Sequence, residues 1–497
     1  MLDIKFKKIV IYGLGISGIA TLKFFARNLV NSSSQQYELY ATDDNLENIE
    51  KAKQKLIAEK FLFLNKIIFT KNSEIIYDEK TIISFSPGIP LYFPKSHPIL
   101  DLINKSNAKL ACDIEIFYRL NHNENFIAIT GTNGKSTVTA LVGFLFEKLQ
   151  LKSAIGGNIG MPCFDCEINN IDKNKETAFI FETSSYQLDL LSDSHFKISA
   201  LTNITPDHLD RHNSMDGYIK AKKRVFNNQN QEDFAIINID NLESKKVYEE
   251  LSSNNNQKIV AISTKKIPPI LEAEYSKPLM ISMVNEAIYH NFNIGKVEKY
   301  QSTSQFLKGE HNAQNIAFAF AITKCYFMLI NQEINDEKII ATILQFEGLR
   351  HRLQVIEKID NINFINDSKA TNAESTSNAL LAFDNILWIV GGKQKDGGIS
   401  SLKPYFSRVK KAYLIGESSD DFANFLSKNN VIYQKCNNLL NAVNSAFFDS
   451  CGQFKNDLVN NILLSPACAS FDQWKNFEER GDFFCLQAKK IVNSKKL

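Results

Sequence analysis

Phe126-Ile127-Ala128-Ile129-Thr130-Gly131-Thr132-Asn133-Gly134-Lys135-Ser136-Thr137 runs as a short apolar strand, a glycine-punctuated turn ending in Lys-Ser-Thr, and the start of a helix expected from about Thr137 to Gln150. That is the layout of a phosphate-binding loop. Gly131 and Gly134 admit backbone conformations closed to other residues. The N–H groups of the turn, Thr132 and Asn133 included, and the positive end of the helix then face a polyphosphate. Lys135 places a point charge on the outer phosphates, and Ser136 offers its hydroxyl to a bound Mg²⁺. Ile129 stands where the strict pattern has its first glycine. A plain strand–turn–helix corner would account for the glycines but not for the Lys-Ser-Thr that follows them.

The chain has 497 residues, too many for one growing core, so about two to four domains are expected. It is 44% hydrophobic and 23% charged, ordinary values for a soluble globular protein. A net charge of +2 argues against a nucleic-acid or polybasic membrane partner. Of the eight cysteines only Cys163 and Cys166 form C-x-x-C, with no second pair at zinc spacing, so they read as reduced thiols. The start of the chain has no apolar h-region or small-residue cleavage site, and no apolar run approaches the ~18–20 residues of a membrane span. The expectation is a cytoplasmic protein.

Before the phosphate loop, Lys8–Tyr12 is an apolar run followed by Gly13-Leu14-Gly15-Ile16-Ser17-Gly18 and a helical stretch to about Leu29. A second strand, Tyr37–Thr42, ends at Asp43-Asp44. This βαβ opening with G-x-G-x-x-G and an acid after the second strand suits a dinucleotide, with Asp43 on a ribose hydroxyl. It suits any other diphosphate equally. A third strand, Thr81–Ser86, runs into Pro87-Gly88-Ile89-Pro90 at a strand C-terminal end, where ligands of open α/β sheets sit. The first domain is expected to close near residue 110.

After the loop, Ile155-Gly156-Gly157-Asn158-Ile159-Gly160 is too glycine-rich for packing alone. Thr177–Phe181 has a buried-strand pattern, with Glu182-Thr183-Ser184-Ser185-Tyr186-Gln187-Leu188 behind it. A strand at Ser199–Ile204 leads to Thr205-Pro206-Asp207-His208-Leu209-Asp210-Arg211-His212, read as a loop, and a basic helix spans Ser214–Phe226. Residues 228–305 read as strands and loops, with Ser252–Asn256 as surface loop, and an Ala-rich helix opens at Gly309-Glu310-His311-Asn312. From Gly348 the pattern restarts, with strand-like runs at Asn363–Asn366, Ile386–Val390, Ala412–Ile415 and Asn461–Leu464. Strands alternating with helices predict mainly parallel sheets in three α/β domains, 1–110, 111–347 and 348–497.

Several side chains fit chemistry at these strand ends. Glu182 can hold the Mg²⁺ that bridges nucleotide oxygens. His208 and His212 lie four apart, but Pro206 and the acidic neighbours disfavour a zinc pair; a single histidine beside phosphate chemistry fits better. In the run Lys220 to Arg224 charge alone selects no one lysine. Asn366-Asp367-Ser368-Lys369-Ala370-Thr371-Asn372 packs polar groups into one strand-end loop, and Lys393 and Lys395 follow another strand. Ser470 and Gln473, after Leu463-Leu464-Ser465-Pro466-Ala467-Cys468-Ala469, form a capping-box pattern whose helix N-terminus would face an anion.

Together these motifs resemble the Mur ligases, from Gly13 to about Phe484. G-T-N-G-K-S-T alone marks the wider superfamily, which includes folylpolyglutamate synthases. The D-glutamate-adding type is singled out by S-P-G-I at 86–89, G-G-N-I-G at 156–160, E-T-S-S-Y-Q-L at 182–188, N-D-S-K-A-T-N at 366–372 and S-P-A-C-A-S-F-D-Q-W-K-N-F-E-E-R-G at 465–481. The D-N-P-R sequence typical of diaminopimelate- or lysine-adding ligases is absent from the sequence.

The resemblance implies a Rossmann-like UDP-binding domain, a P-loop-type central ATPase domain and a Rossmann-like C-terminal domain. It implies ATP-dependent addition of D-glutamate to UDP-N-acetylmuramoyl-L-alanine for peptidoglycan, through an acyl phosphate. Gly131 to Thr137 would hold ATP, with Asn312, Arg352, Asp367 and Lys369 on its adenine, ribose or phosphates. Two Mg²⁺ would be held among Ser136, Glu182, His208 and Lys222, the last as a carbamate because it is the lysine of Y-x-x-A-K-x-R. Lys135, Glu182, His208 and Lys222 would carry the catalysis. Asn158 would meet the muramoyl-alanine part, and Ile16, Ser17, Asp43, Ser86, Pro87 and Gly88 the UDP. Thr371, Lys395, Ser470, Phe471 and Phe477 would form the D-glutamate pocket, where Phe471 and Trp474 depart from the family's usual Leu and Phe. The protein would act as a monomer. The chain is expected to exceed the usual length through loops near 228–305 and 420–460.

Overall fold

The computed structural model describes residues 6–31, 37–158, 161–166, 168, 176–254, 256–269, 279–292, 297–301, 309–346, 348–394, 398–455 and 458–496. The chain divides into two compact units, Met1–Phe346 and Glu347–Leu497. The first holds two sheets and the second holds one.

The first sheet has the order β3-β2-β1-β4-β5, from β1 (Lys8–Tyr12), β2 (Glu38–Thr42), β3 (Ile68–Phe69), β4 (Thr81–Phe85) and β5 (Lys109–Ala111). All its pairings are parallel. The next sheet uses β6 (Asn125–Thr130), β7 (Ser153–Gly157), β8 (Ala178–Glu182), β9 (Ile198–Leu201), β10 (Phe234–Asn238), β11 (Lys258–Ser263), β12 (Leu279–Val284), β13 (Ala287–His290) and β14 (Glu298–Gln301). Its order is β14-β13-β12-β11-β10-β9-β6-β8-β7, antiparallel only at β12–β13 and β13–β14. Every residue of β6 and β8 is buried, as expected of parallel strands covered on both faces.

These two sheets share a core. Val10, Tyr12, Ile83 and Phe85 of the first pack in one apolar cluster with Phe126, Ala128, Phe179 and Phe181 of the second. The helix Asp113–Leu120 contributes Ile114 and Phe117 to that cluster and Ile116 to the separate core beneath the first sheet. Residue 110 lies inside β5, the last strand of the first sheet, and both sheets belong to one compact unit.

The second unit is built on β15 (Gln354–Ile359), β16 (Ile362–Asn366), β17 (Ile386–Gly391), β18 (Val409–Ile415), β19 (Tyr433–Asn437) and β20 (Asn460–Leu464). Their order is β15-β16-β20-β17-β18-β19, with only β15–β16 antiparallel. Trp388 lies in its core and donates its indole N–H to the Ser465 carbonyl at 2.8 Å.

Three expectations are corrected. The segment read as strands and loops contains a helix, Leu242–Asn254, whose Val247, Tyr248 and Leu251 pack inward. Ser252, Ser253 and Asn254, read as loop, form its last turn; their own helix propensity is low, but the Leu, Glu and Lys residues before them are helix formers and carry the element through them. Residues 420–455 hold two regular helices, Ser419–Lys428 and Leu439–Cys451, on either side of β19, so that part of the expected surplus is ordinary α/β structure. Ser470 caps no helix. Its carbonyl accepts the N–H groups of Gln473 and Trp474 in a turn, and the terminal helix Phe477–Lys496 starts later, where Asn476 accepts the Glu479 N–H at 2.8 Å. Among the described residues no helix is long and apolar enough to cross a membrane.

Candidate active site

The turn after β6 is held from beneath. Thr202 donates its hydroxyl to the Asn133 carbonyl at 2.6 Å, and Asn203 accepts the Asn133 N–H at 2.8 Å. Gly131 has φ +145° and Gly134 φ +87°; a Cβ on the first would collide with the Thr202 hydroxyl, and one on the second would lie 2.6 Å from Asn315 Oδ1. Both glycines are thus required by conformation and by close approach. The helix begins at Lys135, two residues earlier than expected, so its first-turn N–H groups rise directly from the turn. The Lys135 ammonium donates to the carbonyls of Gly131 and Thr132, both at 2.8 Å. Ser136 and Thr137 lie buried behind it. Asn315 donates to Asn312 Oδ1 at 3.1 Å. The i,i+3 spacing of these two in G-E-H-N-A-Q-N places both on one helix face, a signal that would have found Asn315.

Glu182 ends β8, paired with Ile129 of β6, so topology sets its carboxylate beside the strand end that launches the phosphate loop. It is only 1% exposed. Its Oε1 accepts Asn158 Nδ2 at 3.4 Å, while Oε2 is buried without a donor. A desolvated carboxylate oxygen in that state favours a cation, and the residues here fit a divalent ion beside a nucleotide. Lys222 is also 1% exposed and donates to the Gly131 carbonyl at 2.8 Å, with Tyr218's ring 4.6 Å from its nitrogen. Burial, and then the charge of Lys135, holds its amine well below the usual lysine range. The run Lys220 to Arg224 therefore contains one desolvated amine.

His208 has φ +53° and caps a single helical turn, Leu209–His212, in place of the expected loop. Its half-exposed ring pairs with Asp207 at 3.3 Å and lies 5.0 Å from the Tyr186 ring. His212 is buried, with Nε2 2.9 Å from the Ser185 hydroxyl. Burial, followed by the charges of His208, Lys222 and Arg211, pushes its pKa down to about 4, so it is a neutral structural histidine.

In the first sheet, Ile16 is 77% exposed at the tip of the glycine turn. Ser17, Ser86 and Pro87 are half-buried and Gly88 is exposed. Asp43 is turned inward. It accepts the Leu14 N–H at 2.9 Å and, on its other oxygen, Asn45 N–H and Asn48 Nδ2, each at 3.0 Å. Its carboxylate thus braces the glycine turn.

The second unit gathers its own cluster at the ends of β16 and β20. Asp367 accepts the Leu353 N–H at 3.2 Å and the Ser465 hydroxyl at 2.7 Å. Burial pushes its carboxyl up to about 7 against those bonds and the charge of Arg352. Lys369 places its ammonium 5.9 Å from the centre of the Phe477 ring, and its carbonyl accepts the Thr371 N–H. Ser470 is buried and Phe471 exposed. Lys395 lies outside the described residues. Sequence reasoning missed Arg480, although the motif containing it was quoted. Its buried guanidinium donates to Ser368 Oγ at 3.0 Å, the Ser368 carbonyl at 2.9 Å and the Cys468 carbonyl at 3.1 Å, tying the two loops together.

Comparison with known proteins shows the family. The description "Mur ligase middle domain" matches residues 129–323. The protein of Rickettsia prowazekii (strain Madrid E) named UDP-N-acetylmuramoylalanine–D-glutamate ligase is 37% identical over 486 residues, 98% of each chain. The protein of the same name from Wolbachia pipientis wMel is 35% identical, over 97% of this chain and 96% of its own. A solved UDP-N-acetylmuramoyl-L-alanyl-D-glutamate–2,6-diaminopimelate ligase is 14% identical and shares the fold, with a TM-score of 0.52 over 92% of this chain and 96% of its own. With a phosphate loop and a buried carboxylate at adjoining strand ends, a desolvated lysine on the carbonyl of that loop, and such relatives along its whole length, the chain belongs to the Mur ligase family, in its UDP-N-acetylmuramoylalanine–D-glutamate ligase branch.

Proposed function

We propose that the protein joins D-glutamate to UDP-N-acetylmuramoyl-L-alanine, consuming ATP and releasing ADP and phosphate, as a cytoplasmic monomer. The carboxylate of the muramoyl-alanine attacks the γ-phosphorus, and ADP leaves. The deprotonated amine of D-glutamate then attacks the carbonyl carbon of the acyl phosphate, and the tetrahedral adduct expels phosphate. Residues 1–110 take the UDP moiety through Ile16, Ser17 and Ser86 to Gly88, with Asp43 shaping their turn. Residues 111–347 take ATP, and residues 348–497 take D-glutamate.

Within that scheme Lys135 and the N–H groups of Gly131 to Thr137 hold the triphosphate, and Asn158 orients the muramoyl-alanine carboxylate. Ser136, Glu182, His208 and Lys222 would hold two Mg²⁺, which would supply positive charge against the triphosphate. A neutral Lys222 amine adds CO₂ and loses a proton to become a carbamate, turning a neutral donor into an anionic ligand. Asn312, Arg352, Asp367 and Lys369 serve the nucleotide; Thr371, Lys395, Ser470, Phe471 and Phe477 serve D-glutamate.

The observation that carries this reading is the donorless buried oxygen of Glu182 beside the phosphate loop. The deciding measurement is phosphate release from ATP and UDP-N-acetylmuramoyl-L-alanine with D-glutamate, L-glutamate or meso-diaminopimelate. Stimulation by D-glutamate alone is expected; no stimulation by D-glutamate would remove the proposal.

A further inference from the structure

Arg211 lies on the one-turn helix behind His208, yet its guanidinium reaches the first sheet. Nη2 donates to the carbonyls of Pro87 and Ile89, both at 3.0 Å, and Nη1 to that of Gly88 at 3.2 Å. Three consecutive carbonyls of the turn after β4 are thus held by one planar fork, a geometry no lysine reproduces. The guanidinium also stacks 4.2 Å from the centre of the Tyr186 ring. Tyr186 follows Glu182 by one short turn, and its ring lies 5.0 Å from that of His208 and 5.6 Å from that of His212.

His208 itself is held in left-handed backbone, φ +53° and ψ +30°, which a residue with a Cβ adopts at a cost of about 1 kcal/mol or more. Its carbonyl is fixed by the N–H groups of Arg211 and His212 at 3.0 and 3.2 Å. The same cluster continues to Tyr218, whose hydroxyl lies 3.2 Å from Thr132 Oγ1 in the phosphate loop. Contiguity alone would show only that these parts touch. A strained turn, held by an arginine whose other end grips the turn after β4, is placed so that a change at either turn is felt at the other.

We infer that Arg211 is a positioning residue that couples the turn Ser86–Ile89, proposed above to meet the UDP moiety, to the His208 turn, so that UDP substrate and ATP strengthen each other's binding. This rests on the assignment of UDP to the first sheet and ATP to the phosphate loop. When the UDP substrate orders the turn, Arg211 keeps its three acceptors and holds the His208 turn in place. Without that order, the arginine and the strained turn relax together. Coupling is reciprocal: each ligand raises the affinity of the other by one factor.

Calorimetric titration of the full chain with UDP-N-acetylmuramoyl-L-alanine, with and without Mg²⁺ and β,γ-methylene-ATP, tests this. Wild type should bind the UDP substrate at least ~5-fold more tightly in the presence of the analogue, the lower end of usual coupling. In Arg211→Gln and in Arg211→Lys, which keeps the charge but not the fork, that ratio should fall below ~2-fold while each ligand still binds alone. In the steady state, the KM for the UDP substrate should depend on ATP concentration in wild type and not in the variants. A residue that only stabilised the fold would lower the active fraction and leave the ratio intact. Wild type without coupling, or either variant retaining it, overturns the inference. Failure of wild type to bind the UDP substrate at all would instead overturn the functional assignment.

Discussion

A buried carboxylate oxygen with no donor, as at Glu182, costs about 1–3 kcal/mol or more of folding stability. Glutamine at this position keeps the shape and removes the charge. Glu182→Gln should therefore leave the urea midpoint unchanged or raise it, while D-glutamate-dependent phosphate release falls at least ~100-fold. Loss of stability together with activity would show that the carboxylate serves the fold. Asp367 makes the converse point through pH. Its folded pKa of about 7 exceeds the ordinary carboxyl value, so the folded state binds the proton more tightly. The stability this contributes is complete below about pH 4 and is lost as pH rises toward 7, a span worth on the order of 4 kcal/mol. Asp367→Asn should flatten that slope. Both tryptophans, Trp388 and Trp474, lie in the second unit, so tryptophan fluorescence during urea unfolding at pH 4 to 8 reads it directly; an unchanged slope would reject the assignment.

Among the elements, the helix Asp113–Leu120 matters most to the first unit. Phe117 packs against Phe126, Phe164, Phe179 and Phe181, and Phe117→Ala should cost about 3–4 kcal/mol through the lost contacts and the cavity. Two turns of the same helix also carry Glu115, which accepts from the N–H groups and hydroxyls of Ser192 and Ser194, from the Asp193 N–H and from Arg119. Burial alone would raise its pKa; the hydrogen bonds and Arg119 outweigh it and hold it below the usual carboxylate range. Its stabilisation is therefore present above the ordinary Glu pKa and lost as pH falls through the lower folded value. Glu115→Gln should destabilise the first unit at pH 7 and much less at pH 3, followed by circular dichroism. Equal loss at both pH values would mean that the charge is irrelevant. Neither variant should move the tryptophan-reported transition of the second unit.

Across the whole molecule, each of the two compact units, Met1–Phe346 and Glu347–Leu497, is built on mainly parallel sheets. The sequence by itself determined the parallel sheets, since β6, β8 and β17 are nearly continuous apolar runs and their end turns carry glycines and polar residues. It determined the phosphate loop as well, because glycine, lysine and hydroxyl must be neighbours along the chain to wrap one phosphate group. Tertiary structure decided the rest. In Lys220 to Arg224 the charges look alike; the resemblance to Y-x-x-A-K-x-R named Lys222, and its burial beneath a carbonyl 91 residues away in the chain gives the physical difference from its neighbours. Asp43 is a ligand residue by pattern and a brace by contact, Ser470 a cap by pattern and a turn by contact, and Arg211 and Arg480 carry no signal until their carbonyl partners arrive. Desolvation and hydrogen-bond partnership depend on which distant strand ends the topology sets side by side, and local spacing does not encode that.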